Sequence, residues 1–130
     1  MSQTFSDFCI YTIVHGELLE EAARKGGSKL FSEGKPWVTG YNLWLKSKKD
    51  GTKMPVLLGD AVNCDILLYW GILTKVQLKG KGTRFTVDRV RELEEIHSPQ
   101  ELVLRSTGKR IAPNFIRPYA ICFTPSFLEA

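Results

Sequence analysis

The chain has 130 residues, 43% of them hydrophobic and 25% charged, and carries a net charge of +4. That length suits one domain, since a chain of this size buries roughly two thirds of its unfolded surface and can build a core without disulfide staples; the composition is that of an ordinary soluble globular protein. No apolar run approaches the roughly 18 residues of a membrane helix, and Met1-Ser2-Gln3-Thr4 lacks the basic start and apolar stretch of a signal peptide.

Phe8–Val14 is expected to form a first strand, apolar on both faces and broken by Gly16. Glu17–Lys25 carries Leu18, Leu19, Ala22 and Ala23 at helical spacing. Acids in its first turn and Arg24-Lys25 in its last suit the helix dipole, and Gly26-Gly27 supplies the stop. Ser28–Pro36 reads as a loop. Pro36–Leu45 is an aromatic cluster interrupted by Gly40, with a periodicity that fits neither helix nor strand. Lys46–Lys53 reads as a basic turn with Asp50-Gly51 at its tip. Met54–Leu58 is a short strand and Gly59–Asp65 a connector.

The organising stretch is Ile66–Val90. Ile66, Leu68, Trp70, Ile72, Val76 and Leu78 share one parity and predict a continuous apolar face on a strand. The other parity turns polar at Lys75 and Gln77. Mid-run Gly71 suggests a kink or bulge. A glycine-bearing loop of about four residues, Lys79–Gly82, then leads to the alternating Thr83, Phe85 and Val87, which predicts a hairpin. Val90 and Leu93 fall out of register with Phe85 and Val87; a bulge near Asp88-Arg89, or a new strand, explains that. Ser98-Pro99-Gln100-Glu101 is a capping box opening a short helical turn. Ser106–Arg110 reads as a turn, and Tyr119–Phe123, fenced by Pro118 and Pro125, as a last buried strand. This order fits a single small α+β domain with a curled sheet.

Charge is segregated along the chain. Lys46, Lys48, Lys49 and Lys53 face one acid, Asp50; Lys75, Lys79, Lys81, Arg84, Arg89 and Arg91 face Asp88; Arg105, Lys109, Arg110 and Arg117 face none between residues 105 and 117. Such segregation can raise a positive field over one face and attract a polyanion, although lysines that merely solubilise loops give the same composition. Motifs for catalysis are missing: there is no G-x-S-x-G, H-E-x-x-H or C-x-x-C. His97 sits in an acidic stretch, and His15, between strand and helix, suits a structural partner better than a catalyst. Gly80-Lys81-Gly82-Thr83 can turn amides toward a phosphate but is more simply a hairpin loop. Cys9, Cys64 and Cys122 are odd in number and widely spaced, which is neither a disulfide framework nor a zinc pattern. The expected setting is therefore reducing, intracellular and cytoplasmic, with no cofactor and no metal. Trp37 and Trp44 lie in the lysine-flanked aromatic stretch, where a flat ring beside cations is what base stacking needs. Trp70, on the apolar parity, is expected to point inward.

Taken together, the order Phe8–Val14, Glu17–Lys25, Trp37, Ile66–Leu73, Gly82–Val87, Leu102–Leu104 and Gly108–Ile111 resembles the PUA-like superfamily, and within it the EVE and YTH-type modified-base readers. The resemblance implies a small curled sheet or partly open β-barrel with one or two flanking helices, spanning residues 1–130. It also implies a non-enzymatic module that holds a modified or flipped base of DNA or RNA in an aromatic pocket. Carried over, Trp37 is the cage tryptophan, Asn42 a base-edge partner, and Trp44 or Tyr41 a second wall. Lys46, Lys48, Lys49, Lys79, Lys81, Arg84, Lys109 and Arg110 would hold phosphates. The G-x-K-x-x-E-x-R string of the related ASCH group is missing. The rivals are a regulatory domain that docks a protein through the Trp37–Trp44 cluster, and a small enzyme of unrecognised type.

Overall fold

The computed structural model describes residues 4–14, 16–61, 65–112 and 119–128. His15, Cys64, Arg117 and Pro118, named above, lie outside them. Two α-helices lie among the described residues, together with a six-stranded mixed sheet. Phe8–Val14 is β1, Gly16–Lys25 α1, Ser28–Glu33 β2, Val38–Asp50 α2, Pro55–Asp60 β3, Leu67–Lys79 β4, Gly82–His97 β5 and Tyr119–Phe123 β6. The strand order is β2-β5-β4-β3-β1-β6, with β1 parallel to β3 and every other pairing antiparallel. The result is an α+β fold whose sheet stays open, because its end strands do not pair with one another. Beyond β6, Leu104 bridges Cys122 and Val103 bridges Arg110, adding a short outer hairpin.

The β4–β5 hairpin forms as expected, with a tighter turn than the sequence suggested. Lys79 pairs with Gly82, leaving only Gly80 and Lys81 in the loop, and Gly80 takes φ +61°. Glycine is the residue that tolerates positive φ at the first position of such a two-residue turn. β5 then continues to His97 rather than ending at Val87. Arg89 sits at φ +56° where Trp70 pairs with Arg91 and Ile72 with Asp88, so β5 carries one residue more than β4 there. This is the bulge expected near Asp88-Arg89. Gly71 makes room for it: a Cβ would stand 2.4 Å from Val87 Cγ1 and 2.9 Å from the Asp88 carbonyl oxygen.

Three expectations are overturned. The single apolar face along Ile66–Leu78 is not continuous. Register shifts at Leu67/Tyr69, Trp70/Ile72 and Leu73/Lys75 rotate the strand, so that Leu67 and Trp70 are buried on one side and Leu73 and Val76 on the other, while Leu78 is exposed. The loop expected at Ser28–Pro36 contains β2, which is paired along its whole length with β5 and anchored by buried Phe31. The aperiodic Pro36–Leu45 stretch and the basic turn Lys46–Lys53 are largely one helix, α2. Its buried positions are Gly40, Trp44 and Ser47, a helical face with only one large apolar side chain. It ends where Gly51 takes φ +76°, with the Gly51 N–H donating to Lys48 and the Thr52 N–H to Ser47, a Schellman-type stop.

The sheet separates two cores. On one side α1 packs over β5 and β3 and α2 over β4, enclosing Ile10, Leu19, Phe31, Trp37, Leu58, Leu73, Phe85 and Val87. On the other, Cys9, Tyr11, Leu57, Trp70, Leu93, Leu102, Ile111, Cys122 and Leu128 pack together. Trp70 points inward as expected, with Phe5 edge-on at 5.7 Å and the Arg91 guanidinium 4.0 Å above its ring. The capping box forms in full: Ser98 Oγ accepts the Gln100 N–H, and Glu101 accepts the Ser98 N–H at 2.7 Å.

Candidate functional site

Trp37 was expected to line an open pocket. Instead its ring is fully enclosed, at 0% exposure. Phe85 stacks at 4.2 Å on one contact and Tyr119 at 4.9 Å on another, so the rings flanking Trp37 belong to β5 and β6 rather than to Trp44 or Tyr41. The cause lies in the sequence order. Trp37 is the last residue before α2, and Gly40, packed against Ile10, Tyr119 and Trp37 itself, lets the helix settle onto the sheet over it. The indole Nε1 is buried without a hydrogen-bond partner. Burial raises the Tyr119 phenol's pKa, opposed by a hydrogen bond from the Gly40 backbone.

The other expected base contacts lie on α2. Trp44 is buried in the helix-side core with Tyr41 tilted against it at 6.2 Å, and Lys48 Nζ lies 5.4 Å from its ring. Asn42 is exposed. Lys46, Lys48 and Lys49 are also exposed on this helix. Lys46 lines a cavity of about 190 Å³ with Phe5, Asp7, Phe8, Ser47 and Asp50. Two acids accompany the single lysine there, so the cavity is not an anion site.

The register of β2, β5 and β4 makes the most basic arrangement. Directly opposed residues share a face. Ser32, Arg84 and Gln77 therefore form one cross-strand row, and Leu30, Thr86 and Lys75 the next. These rows lie on the face away from Phe31, Phe85 and Val76, which are buried under the helices. Lys79 continues the same parity and Lys81 occupies the turn, so Lys75, Lys79, Lys81 and Arg84 share this end of the molecule, all exposed. No acid falls in either row. Of the expected phosphate contacts, the fold thus brings Lys79, Lys81 and Arg84 together. It sets Lys46, Lys48 and Lys49 on the helix side, and Lys109 and Arg110 on the outer hairpin beyond β6. Lys75, Gln77, Thr86 and Ser32 were not among the expected contacts. Their signal was the polar turn of the second parity at Lys75 and Gln77. Beside the loop, the Thr83 hydroxyl bonds the backbone of Lys35 and Trp37.

Groups suited to covalent chemistry are subdued. Burial pushes the Cys122 thiol up to about 12 and raises Cys9 well above its ordinary value, with the facing Cys122 adding to the effect. A thiol held protonated is a poor nucleophile. His97 bonds Glu101 at 3.1 Å and stacks on Phe127 at 3.8 Å. Among the described residues, no group of three or more His, Cys, Asp or Glu side chains could hold a metal, and no helix is long and apolar enough to cross a membrane. The chain matches no protein-family profile, no curated protein and no solved structure.

Proposed function

We propose that this chain is a non-enzymatic nucleic-acid-binding module that contacts phosphates through the outer face of the β4–β5 hairpin. The observation that carries the reading is the pair of cross-strand rows, neither holding an acid, that set Arg84 and Lys75 beside the neighbouring Lys79 and Lys81, all four exposed. Arginine and lysine supply the counterion-releasing contacts, while Gln77, Ser32 and Thr86 offer further donors to phosphate oxygens. The resemblance to PUA-like readers of modified bases supports this proposal only through the order of elements. Its aromatic cage does not, because Trp37 lies closed between Phe85 and Tyr119.

Titration of a labelled mixed-sequence oligonucleotide, as DNA and as RNA, over a salt series tests the proposal. Four phosphate contacts predict a log–log slope of about −3 to −4. Lys75→Glu/Arg84→Glu should weaken binding and flatten the slope, whereas Lys109→Glu/Arg110→Glu should change neither by a comparable amount. Binding that ignores salt would instead favour protein docking. The observation behind that second reading is that Val38 and Leu45, one α2 heptad apart, are 53% and 42% exposed.

A further inference from the structure

β2 stands at one end of the sheet and, among the described residues, is paired only with β5. The Arg89 N–H reaches the Gly27 carbonyl at 2.8 Å, which marks that pair as hydrogen-bonded. Such pairs alternate along an antiparallel ladder. The odd positions of β2 therefore direct their backbone groups at β5, and Ser28, Leu30 and Ser32 direct theirs outward. The strand is exposed at all three of these positions, and Leu30 is 55% accessible. An open row of donors and acceptors is a template for another strand.

The side chains specify which strand. Side chains alternate faces, so two copies meeting about a two-fold axis perpendicular to the sheet must pair residues of like parity. Of the registers this permits, centring on Leu30 sets Lys29 against Phe31, and centring on Ser32 sets Lys29 against Lys35. Centring on Phe31 sets Lys29 of each copy opposite Glu33 of the other, twice. It also makes Leu30 and Ser32, both outward-pointing, into hydrogen-bonded pairs. No ion pair is formed by Lys29 or Glu33 within the described chain.

We propose that β2 is a self-complementary edge, and that a second copy of this chain adds to it antiparallel across a two-fold axis, in the register that sets Lys29 against Glu33. The two sheets then run on as one. The lysine that repels strands offered in other registers is matched in this one, so the same residue blunts the edge and selects its partner. The rows bearing Arg84 and Lys75 lie beside the junction, so pairing doubles the basic face.

Sedimentation velocity of the full chain over a concentration series at low salt tests this. A reversible monomer–dimer equilibrium is expected. Lys29→Glu and Glu33→Lys should each weaken it about tenfold or more, since two opposed pairs change from attractive to repulsive. The double exchange Lys29→Glu/Glu33→Lys should restore it to within about threefold of the original. Leu30→Lys, at an exposed site on the opposite face, should weaken association by a second route, with circular dichroism confirming that each variant folds. A chain that stays monomeric to its solubility limit overturns the proposal. So does a dimer that the single reversals leave intact, or one that the double exchange fails to rescue.

Discussion

The hydroxyl of Thr83 accepts the backbone N–H of Trp37 at 2.9 Å across 46 positions, and donates to the Lys35 carbonyl at 2.7 Å. One buried side chain thereby fastens the hairpin to the entry of α2, and fixes the ring that α2 covers. Thr83→Val keeps the shape and removes both bonds. The enclosed Trp37 N–H is left unsatisfied, so urea denaturation should show a loss of roughly 1–3 kcal/mol. Thr83→Ser, which keeps the oxygen, should recover most of it.

Trp37 is a core residue, and its truncation should behave accordingly. Trp37→Ala should cost about 3–5 kcal/mol. Trp37→Phe should cost markedly less, because it removes an indole N–H that is buried without a partner along with the volume. If both variants unfold at the parent's denaturant midpoint, the ring does not hold the core.

At Gly71 the neighbours include backbone, at the Asp88 carbonyl, as well as the Val87 side chain. Gly71→Ala should destabilise by about 1–3 kcal/mol through overpacking. Adding Val87→Ala should not rescue it, because the carbonyl cannot rotate away as a side chain can. Thermal melts of the two variants check this.

Arg89 holds a left-handed backbone at φ +56°, a conformation that costs a side-chain-bearing residue about 1–2 kcal/mol. Arg89→Gly relieves that cost and gives up part of it to the unfolded chain's extra freedom. The expected net effect is a gain of about 0.5–1 kcal/mol, read as a higher denaturation midpoint. A loss would mean that the arginine side chain makes a contact worth more than the strain.

The Glu101 carboxyl is held below the usual carboxylate range, first by the Ser98 N–H and then by His97. A lowered folded pKa stabilises at pH above the unfolded value of about 4.3, and that stabilisation is lost as pH falls through the folded value. Urea midpoints should therefore show Glu101→Gln less stable than the parent near neutrality, with the gap closing in acid. Ser98→Ala should cost about 0.5–2 kcal/mol at neutral pH through loss of the cap.

The elements that the sequence made legible are those whose pattern is local. β1 and β6 match their expected bounds, α1 begins one residue earlier than expected, and the capping box is complete. α2 was hidden because its inward face is Gly40, Trp44 and Ser47 while Val38 and Leu45 face out, so no helical hydrophobic period exists to find. β2 was hidden because Phe31 is its only buried side chain; it is a strand because β5 pairs with it. The cations were visible as composition. Which of them share a surface was not, since that depends on the register of Arg84 with Gln77 and Ser32, a property of pairings distant in the chain. Trp37 gave the wrong signal, because an aromatic beside lysines in an aperiodic stretch looks alike whether a helix caps it or solvent does.

The position of β1, between β3 and the end strand β6, has a consequence for how the molecule is made. Its neighbours are β3 and β6, and Cys9 Sγ reaches the Phe123 carbonyl across 114 positions. The β4–β5 hairpin can close within microseconds of its synthesis. β1, synthesised much earlier, cannot complete its pairing until β6 follows, roughly 5–20 seconds later at ordinary elongation rates. Until then Phe-Cys-Ile-Tyr-Thr-Ile-Val is a seven-residue uncharged strand with the edge that β6 will cover left open, the kind of segment most prone to pair with a neighbour's copy. The yield of folded protein should therefore depend on translation speed and on chaperone occupancy of that one strand more than on the stability of the finished fold.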